Sequence, residues 1–179
     1  TYQKFLISYK ERKFDNILKD IEGKENLLNI KSVNSFNIYI MKIRCMIRKL
    51  KNKFENLLKA KIGPPNYLDV DSLIVLINNE FNKLSLLFIN DNKYEYEKSN
   101  QMFCKFLLII STICYHRDEY FQSLTYIILG IKMMKLFFLR QEIGTDIETY
   151  NIFTKLLIVF VNRLIEDNNF NDAMLFNNY

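Results

Sequence analysis

Three consecutive residues near the middle of the chain could belong to a catalytic loop. His116, Arg117 and Asp118 spell a tripeptide that is typical of phosphoryl-transfer loops. That chemistry also needs a glycine-rich loop over the phosphates, a strand lysine and a metal-binding Asp-Phe-Gly. The chain has four glycines, and none of them forms such a cluster. We therefore interpret the tripeptide as a turn between two helices, with Asp118 capping the second helix.

Cysteine and histidine could also supply a nucleophile or metal ligands. Cys114 and His116 are two residues apart, but Cys114 belongs to an apolar helix face and no third residue orients the histidine. A zinc site takes about four ligands, mostly Cys or His. The chain has three cysteines and one histidine in total, without a Cys-x-x-Cys pair. We predict no catalytic residue, no cofactor, no metal site and no enzyme activity; an all-helical enzyme would need a site of an unrecognised kind.

The strongest charge feature is a helix predicted from about Ser35 to about Ile62. Its apolar residues, from Ile43 to Leu57, recur at helical spacing and predict one buried face. The candidate basic surface on this helix consists of Lys42, Arg44, Arg48, Lys49, Lys51, Lys53 and Lys59. The periodicity predicts that four of these project opposite the apolar face: Lys42, Arg48, Lys49 and Lys59.

Two interpretations of the basic surface stay open. It could bind RNA, DNA, an anionic lipid surface or an acidic peptide. It could equally be an ordinary solvated face, because the formal net charge of +5 and the pI near 9.0 reflect a lysine-rich chain. Nucleic acid is the less favoured ligand, since aromatic residues do not interleave with these cations.

Composition predicts the class of fold that carries these residues. The 179 residues are 49% apolar and include only four glycines and two prolines, which strand-and-turn proteins need at their turns. We predict an all-α fold of antiparallel helix pairs. Three cysteines without paired spacing predict buried, reduced thiols and an intracellular compartment, either cytoplasmic or nuclear. The apolar runs are too short to cross a bilayer, so no membrane span is expected.

A helical hairpin is the clearest organised segment. It runs from about Phe103 to about Phe138 and is hinged at residues 115–118. Along its two predicted helices, large side chains alternate with small ones at Ser111, Ser123 and Gly130. This spacing resembles a tetratricopeptide repeat, a helix–turn–helix unit that stacks into a solenoid.

A second, partial copy of the hairpin pattern follows about 50 residues later. It comprises a helix over Ile147–Ile165, a turn over Asp167–Asn169 and a last helix over Phe170–Phe176. A regular array would space its repeats by about 34 residues, so the likeness indicates an irregular solenoid or bundle. The run from Tyr120 onward also resembles, weakly, the helical-repeat region of separase, without any of its protease residues.

The remaining helices complete the expected organisation. We predict a first helix over Tyr2–Glu22 and a further helix over Ser72–Ile89 capped by Asp69 or Asp71. We divide the chain into N-terminal helices over 1–63 and tetratricopeptide-like pairs over 64–179, because Gly63 begins the only Gly/Pro cluster. The whole is expected to be one continuous folded unit and a fragment of a longer protein.

The resemblance implies a function in protein–protein interaction. Tetratricopeptide-like arrays bind a peptide or a partner helix in a groove, and the candidate groove residues are Tyr126, Lys132 and Asn171. We therefore predict a scaffold segment that binds another protein or peptide within a larger complex. A nucleic-acid or anionic-surface module acting through the basic helix is the alternative.

Overall fold

The computed structural model describes residues 2–11, 13–23, 33–60, 65–85, 93–140 and 147–166. Within these ranges the chain forms seven helices and no strand, which confirms the predicted all-α class. The helices are Tyr2–Lys10 (α1), Phe14–Glu22 (α2), Val33–Lys59 (α3), Leu68–Ser85 (α4), Lys93–Tyr115 (α5), Tyr120–Arg140 (α6) and Ile147–Glu166 (α7). In the described residues, no helix is both long and apolar enough to cross a membrane.

The chain divides into two compact units, Thr1–Met102 (unit 1) and Phe103–Tyr179 (unit 2). The division falls inside α5. The boundary predicted after Gly63 falls in the connection between α3 and α4, and both of these helices belong to unit 1. Residues 61–64 of that connection are outside the described ranges.

The predicted single helix over Tyr2–Glu22 is two helices. A continuous helix would place Phe5 about 180° from Phe14, because nine residues at about 100° each amount to two and a half turns. The break between α1 and α2 lets both phenylalanines reach the core, together with Ile17 and Ile21. Across this break the amide of Lys13 donates a hydrogen bond of 3.0 Å to the carbonyl of Ser8.

Helix α3 is the centre of unit 1, where it contacts α1, α2 and α4. Its first half is buried nearly all round, with Phe36, Met41 and Cys45 all inaccessible. Its second half is amphipathic, and there the predicted face is confirmed, since Leu50 and Phe54 are buried while Lys51 is exposed.

Helix α4 begins earlier than predicted and is capped differently. It starts at Leu68, whose amide donates to Asn66 Oδ1 at 3.0 Å. The predicted caps, Asp69 and Asp71, lie inside the first turn, where carboxylates favour the helix through its dipole. The capping bond to the Leu68 amide comes from the Asn66 side chain, and neither aspartate stands before the first residue of the helix.

Unit 2 contains the predicted hairpin and the helix that follows it. Helices α5 and α6 join at residues 116–119, one residue later than the predicted hinge at 115–118, and α7 matches the predicted span Ile147–Ile165 to within one residue. A buried cluster ties the three helices together: Cys104, Ile127, Met134, Ile152, Leu156, Phe160 and Leu164. The predicted last turn and helix, residues 167–176, lie outside the described ranges.

Asp118 ends α5 rather than capping α6, so the predicted role is wrong. Its φ is 60°, in the left-handed region, and its amide bonds the carbonyl of Tyr115 at 3.1 Å. The amide of Glu119 bonds the carbonyl of Cys114 at 2.9 Å. This pair of bonds is the Schellman ending of a helix, which requires a left-handed residue where Asp118 stands. The turn reverses the chain within four residues and so brings α6 back along α5.

Candidate functional site

Lys42, the first cation of the candidate basic surface, points into unit 1. Its side chain is 8% exposed, and its Nζ lies 2.9 Å from Oε2 of Glu80, which is 9% exposed. The Tyr39 ring is 5.7 Å from the same Nζ. The prediction that Lys42 projects to solvent is therefore wrong. It assumed that the amphipathic pattern of the second half of α3 continues through the first half, where helices surround α3 on several sides.

Most of the remaining lysines on α3 are paired. Lys49 Nζ lies 2.6 Å from Asp15 of α2, and Lys53 Nζ lies 2.6 Å from Asp69 of α4. Lys51 lies 3.6 Å from Glu55 on its own helix. The hydrogen bond from Lys53 lowers the pKa of Asp69. Lys49 and Lys53 thus join the basic helix to its neighbours, since their acidic partners come from the helices packed against it.

Few cations of the candidate surface remain available for a ligand. The guanidinium of Arg44 lies 5.8 Å from the centroid of the Tyr9 ring of α1. Arg48 and Lys59 make no ion pair within the described part of the chain; Lys59 is exposed and Arg48 is half-buried. Two separated cations offer a much weaker anion-binding surface than the seven that the sequence suggests.

The cysteines and the histidine considered for catalysis lie in different environments. Cys114 is buried, whereas His116 is exposed in the turn beyond it. All three cysteines are free and buried, which confirms that prediction. Burial raises the pKa of Cys45 and of Cys104 to about 12, so neither thiol is a nucleophile at neutral pH. No group of metal-ligating side chains occurs within the described ranges.

The two candidate groove residues in the described ranges, Tyr126 and Lys132, do not share a face. Tyr126 is half-buried and Lys132 is exposed. Six residues separate them, which places them about 120° apart around α6. Asn171 lies outside the described ranges. The structure therefore does not place Tyr126 and Lys132 on one face of α6.

On the inner face of α6 the small residues Ser123 and Gly130 alternate with the large Ile127 and Met134, as the hairpin pattern implies. Ser111 Oγ of α5 lies 3.0 Å from Ser123 Oγ of α6, and Ser123 also donates to the Ser111 carbonyl at 2.9 Å. A Cβ on Gly130 would lie 2.9 Å from Leu156 Cδ2 of α7. The thiol of Cys104 donates to the Gly130 carbonyl at 3.8 Å. Helix α6 thus packs at close range against both α5 and α7.

A cluster of aromatic and charged side chains ties the hairpin turn to the end of α7. The Arg163 guanidinium lies 3.2 Å from the centroid of the Tyr115 ring and donates to Glu166 at 2.8 Å. The hydrogen bond between Tyr115 and Glu166 raises the pKa of the tyrosine and lowers the pKa of the glutamate. These contacts join the end of α7 to the hairpin turn, although the buried Nε of Arg163 makes no hydrogen bond within the described residues.

The outer face of α6 carries an apolar stripe that sequence analysis missed. The four apolar residues of this α6 stripe are Phe121, Ile128, Leu129 and Leu136, exposed by 80%, 37%, 41% and 55%. Thr125 and Lys132 lie between them at the same helical spacing, within an arc of about 100°. The signal was present in the sequence: α6 is apolar on two opposite sides, and only one of them can face α5 and α7.

Helix α4 of unit 1 carries a shorter stripe of the same design. Leu68, Val75 and Leu76 are exposed, and they are spaced as Phe121, Ile128 and Leu129 are on α6. The next position of this α4 stripe is taken by Lys83, where α6 has Leu136. The α6 stripe is therefore the longer continuous apolar surface of the two.

No family model, curated protein or solved structure matches this chain. The likeness to tetratricopeptide repeats rests on residue spacing alone. The features that can indicate a function are therefore the α6 stripe and the basic surface of α3.

Proposed function

We propose that the chain is a protein–protein interaction segment in which a helical scaffold presents the α6 stripe to a partner. The single observation that supports this most is the alignment of four exposed apolar side chains along one side of α6, with Thr125 and Lys132 between them. Scattered apolar side chains are normal on protein surfaces, whereas a contiguous exposed patch is typical of an interaction site. Here four apolar residues line one side of α6 over about 22 Å, at 1.5 Å per residue.

The packing beneath the stripe supports the same function. A binding surface is effective when the element that carries it is held rigidly. The opposite side of α6 is fixed by Ser123 against α5 and by Gly130 against Leu156 of α7. A partner would therefore meet side chains on a helix that is already ordered, and binding would require little additional ordering of the scaffold.

The basic surface gives weaker support to the alternative, an anionic-surface or nucleic-acid module. Affinity for a polyanion grows with the number of phosphates that free cations neutralise. On α3, Lys42, Lys49 and Lys53 already face carboxylates of the chain itself. We therefore place the interaction on α6.

The test compares two surface variants in a capture experiment. The stripe variant carries Phe121→Ser and Leu136→Ser, and the matched control carries Arg48→Ser and Lys59→Ser on the basic helix. Each tagged chain is incubated with a lysate of the source cells at low and high salt, with and without nuclease. We expect a protein that binds the wild type and the control in high salt with nuclease, and that the stripe variant loses.

Two results would contradict the proposal. A partner retained by the stripe variant but lost by the basic control would move the interaction to α3. Binding that disappears with nuclease or salt alone would favour the anionic-surface alternative. Circular dichroism of both variants excludes unfolding as the cause, since the substituted side chains are at least partly exposed.

A further inference from the structure

We infer that the α6 stripe docks an amphipathic helix of a partner protein whose apolar face is bordered by acidic side chains. This inference rests on the proposed function and names the chemistry of its partner.

The shape of the stripe fits a helix. Its residues follow one side of α6 from Phe121 to Leu136, a straight surface of about 22 Å. An amphipathic helix of about 15 residues presents a complementary apolar face of that length, with anchors at three- and four-residue spacing. The gap between Phe121 and Ile128 is filled by the small Thr125, whose hydroxyl is turned back to the Phe121 carbonyl at 2.8 Å.

The charges of the stripe fit an acidic partner. Lys132 lies within the stripe and Lys135 lies at one edge, and both are exposed. Over its whole length α6 contains no aspartate or glutamate. Neither lysine makes an ion pair with a described residue. Asp118 and Glu119 precede α6 in the turn, so the positive charge of the stripe is concentrated near Lys132 and Lys135. There a partner carboxylate would be attracted, whereas a partner lysine would be repelled.

A membrane surface fits the same stripe less well. Helices that lie on anionic bilayers carry a polar face rich in Lys and Arg, and polybasic segments use roughly four to eight cations. The α6 stripe offers Lys132 and Lys135, and the side of α6 opposite the stripe is buried core rather than a charged face. The available charge is thus suited to one or two carboxylates.

A second copy of the chain also fits less well. A symmetric pair of α6 helices would bring the Lys132 side chains of two copies to one apolar interface without a carboxylate. The α4 stripe is flanked by Asp69 and Asp71, but Asp69 is already bonded to Lys53 and Asp71 already has an interaction within the chain. Lys83 would face α6 at the other end. Self-association therefore lacks the charge complementarity that an acidic helix provides.

The test uses two designed peptides that share one length and one leucine stripe. One carries glutamates beside the stripe and the other carries lysines at the same positions. Fluorescence anisotropy with the full chain is expected to show binding of the glutamate peptide at least about tenfold tighter than the lysine peptide. Phe121→Ser with Leu136→Ser should abolish binding, whereas Ile165→Ser, an exposed apolar residue of α7, should leave it unchanged.

Charge reversal provides the sharpest control. Lys132→Glu with Lys135→Glu should invert the preference, so that the lysine peptide binds tighter than the glutamate peptide. Both residues are exposed, and circular dichroism verifies that the variant folds. Equal affinity for the two peptides, or no inversion, would overturn the inference.

The remaining outcomes separate this inference from the proposed function. If neither peptide binds while capture from lysate still depends on Phe121 and Leu136, the helix is the wrong partner and the proposed function stands. Stripe-dependent binding to phosphatidylserine vesicles would make the occupant a membrane. Sedimentation that shows self-association, lost on Leu76→Ser in the α4 stripe, would make it a second copy. Each of the three results overturns an acidic helix as the occupant.

Discussion

Helices α3 and α6, one in each unit, differ in which of their side chains remain available to a partner. Helix α3 is the most basic segment of the chain, yet its lysines at 42, 49 and 53 are turned to carboxylates of neighbouring helices. Helix α6 is strongly apolar, yet only half of it is buried, against α5 and α7. The comparison teaches that composition predicts what a helix could bind, whereas the number of neighbours decides which side chains remain available.

The two helices also differ in what fixes them. Ion pairs made by the long side chains of Lys42, Lys49 and Lys53 link α3 to α2 and α4. Small side chains link α6 to α5 and α7 by letting the backbones approach. A change of charge should therefore affect unit 1, and a change of volume should affect unit 2.

The largest effect is expected from breaking the buried pair in unit 1. Lys42→Met leaves the Glu80 carboxylate buried beside an apolar group, with only Lys83 still donating to it at 3.1 Å. Loss of one partner of a buried pair costs about 3 to 5 kcal/mol, and we expect the lower end because Lys83 remains. Urea denaturation measures this loss in the free energy of unfolding.

The matched control for Lys42 replaces both partners. Lys42→Met with Glu80→Leu removes the charges together, and replacing a whole buried pair by apolar side chains is often neutral. A double variant as unstable as the single one would show that packing, and not the uncompensated charge, carries the effect. That result would weaken the contrast between α3 and α6.

The next effect is expected from adding volume between α6 and α7. At Gly130 a Cβ would already lie 2.9 Å from Leu156, which is inaccessible to solvent. Gly130→Val should therefore destabilise the chain by about 1 to 3 kcal/mol through overpacking. Hydrogen exchange measured by mass spectrometry should show the loss of protection in α6 and α7, while α3 keeps its protection.

The matched control for Gly130 is its neighbour on the outer face. Leu129→Val makes a similarly β-branched residue one position earlier, where the side chain is exposed. It should change the free energy of unfolding by no more than about 0.5 kcal/mol. Equal losses from the two variants would contradict close approach as the cause at Gly130; helix propensity cannot explain a loss there, because valine is a better helix former than glycine.

A smaller effect of opposite sign is expected at the hairpin turn. Asp118 holds a φ of 60°, which glycine adopts without steric cost. Asp118→Gly should raise the free energy of unfolding by about 0.5 to 1 kcal/mol, reduced by loss of the 3.0 Å bond from the Tyr120 hydroxyl. Thermal denaturation checks it, with Asp118→Asn as the control, because asparagine tolerates the left-handed region nearly as well.

The smallest effect is expected from the exposed pair of Lys53 and Asp69. Because the pKa of Asp69 is lowered in the folded chain, the pair stabilises the fold above the aspartate's ordinary pKa. That contribution should disappear as the pH falls through the lowered pKa. Asp69→Asn should therefore flatten the acid limb of the stability profile, and the difference from wild type should shrink in high salt. A difference that persists unchanged below pH 2 would require another cause.

Much of the fold was predictable because helical periodicity records one buried face at a time. The hinge at residues 115–118, the bounds of α7 and the burial of the three cysteines all follow from that signal. The same signal failed at Lys42, because a helix surrounded by neighbours has no single buried face. It also failed between α1 and α2, where Phe5 and Phe14 could both be buried only by breaking the helix.

The candidate surface was less predictable than the fold. The α6 stripe could have been found by asking how many neighbours α6 has, but periodicity alone cannot separate a second core face from an exposed one. The basic surface was overestimated because the sequence does not show that Asp15 and Asp69 come to lie beside Lys49 and Lys53. Charge pairing between helices is a property of the packing.

Each unit contains a buried cysteine whose reaction with a thiol reagent would report the opening of that unit. Cys45 lies in unit 1 and Cys104 in unit 2, and with a pKa of about 12 each thiol is almost entirely protonated and shielded at neutral pH. An alkylating reagent can therefore react only when the surrounding helices separate. The order in which the two sulfurs are labelled would reveal which half of the molecule opens first, without any engineered probe.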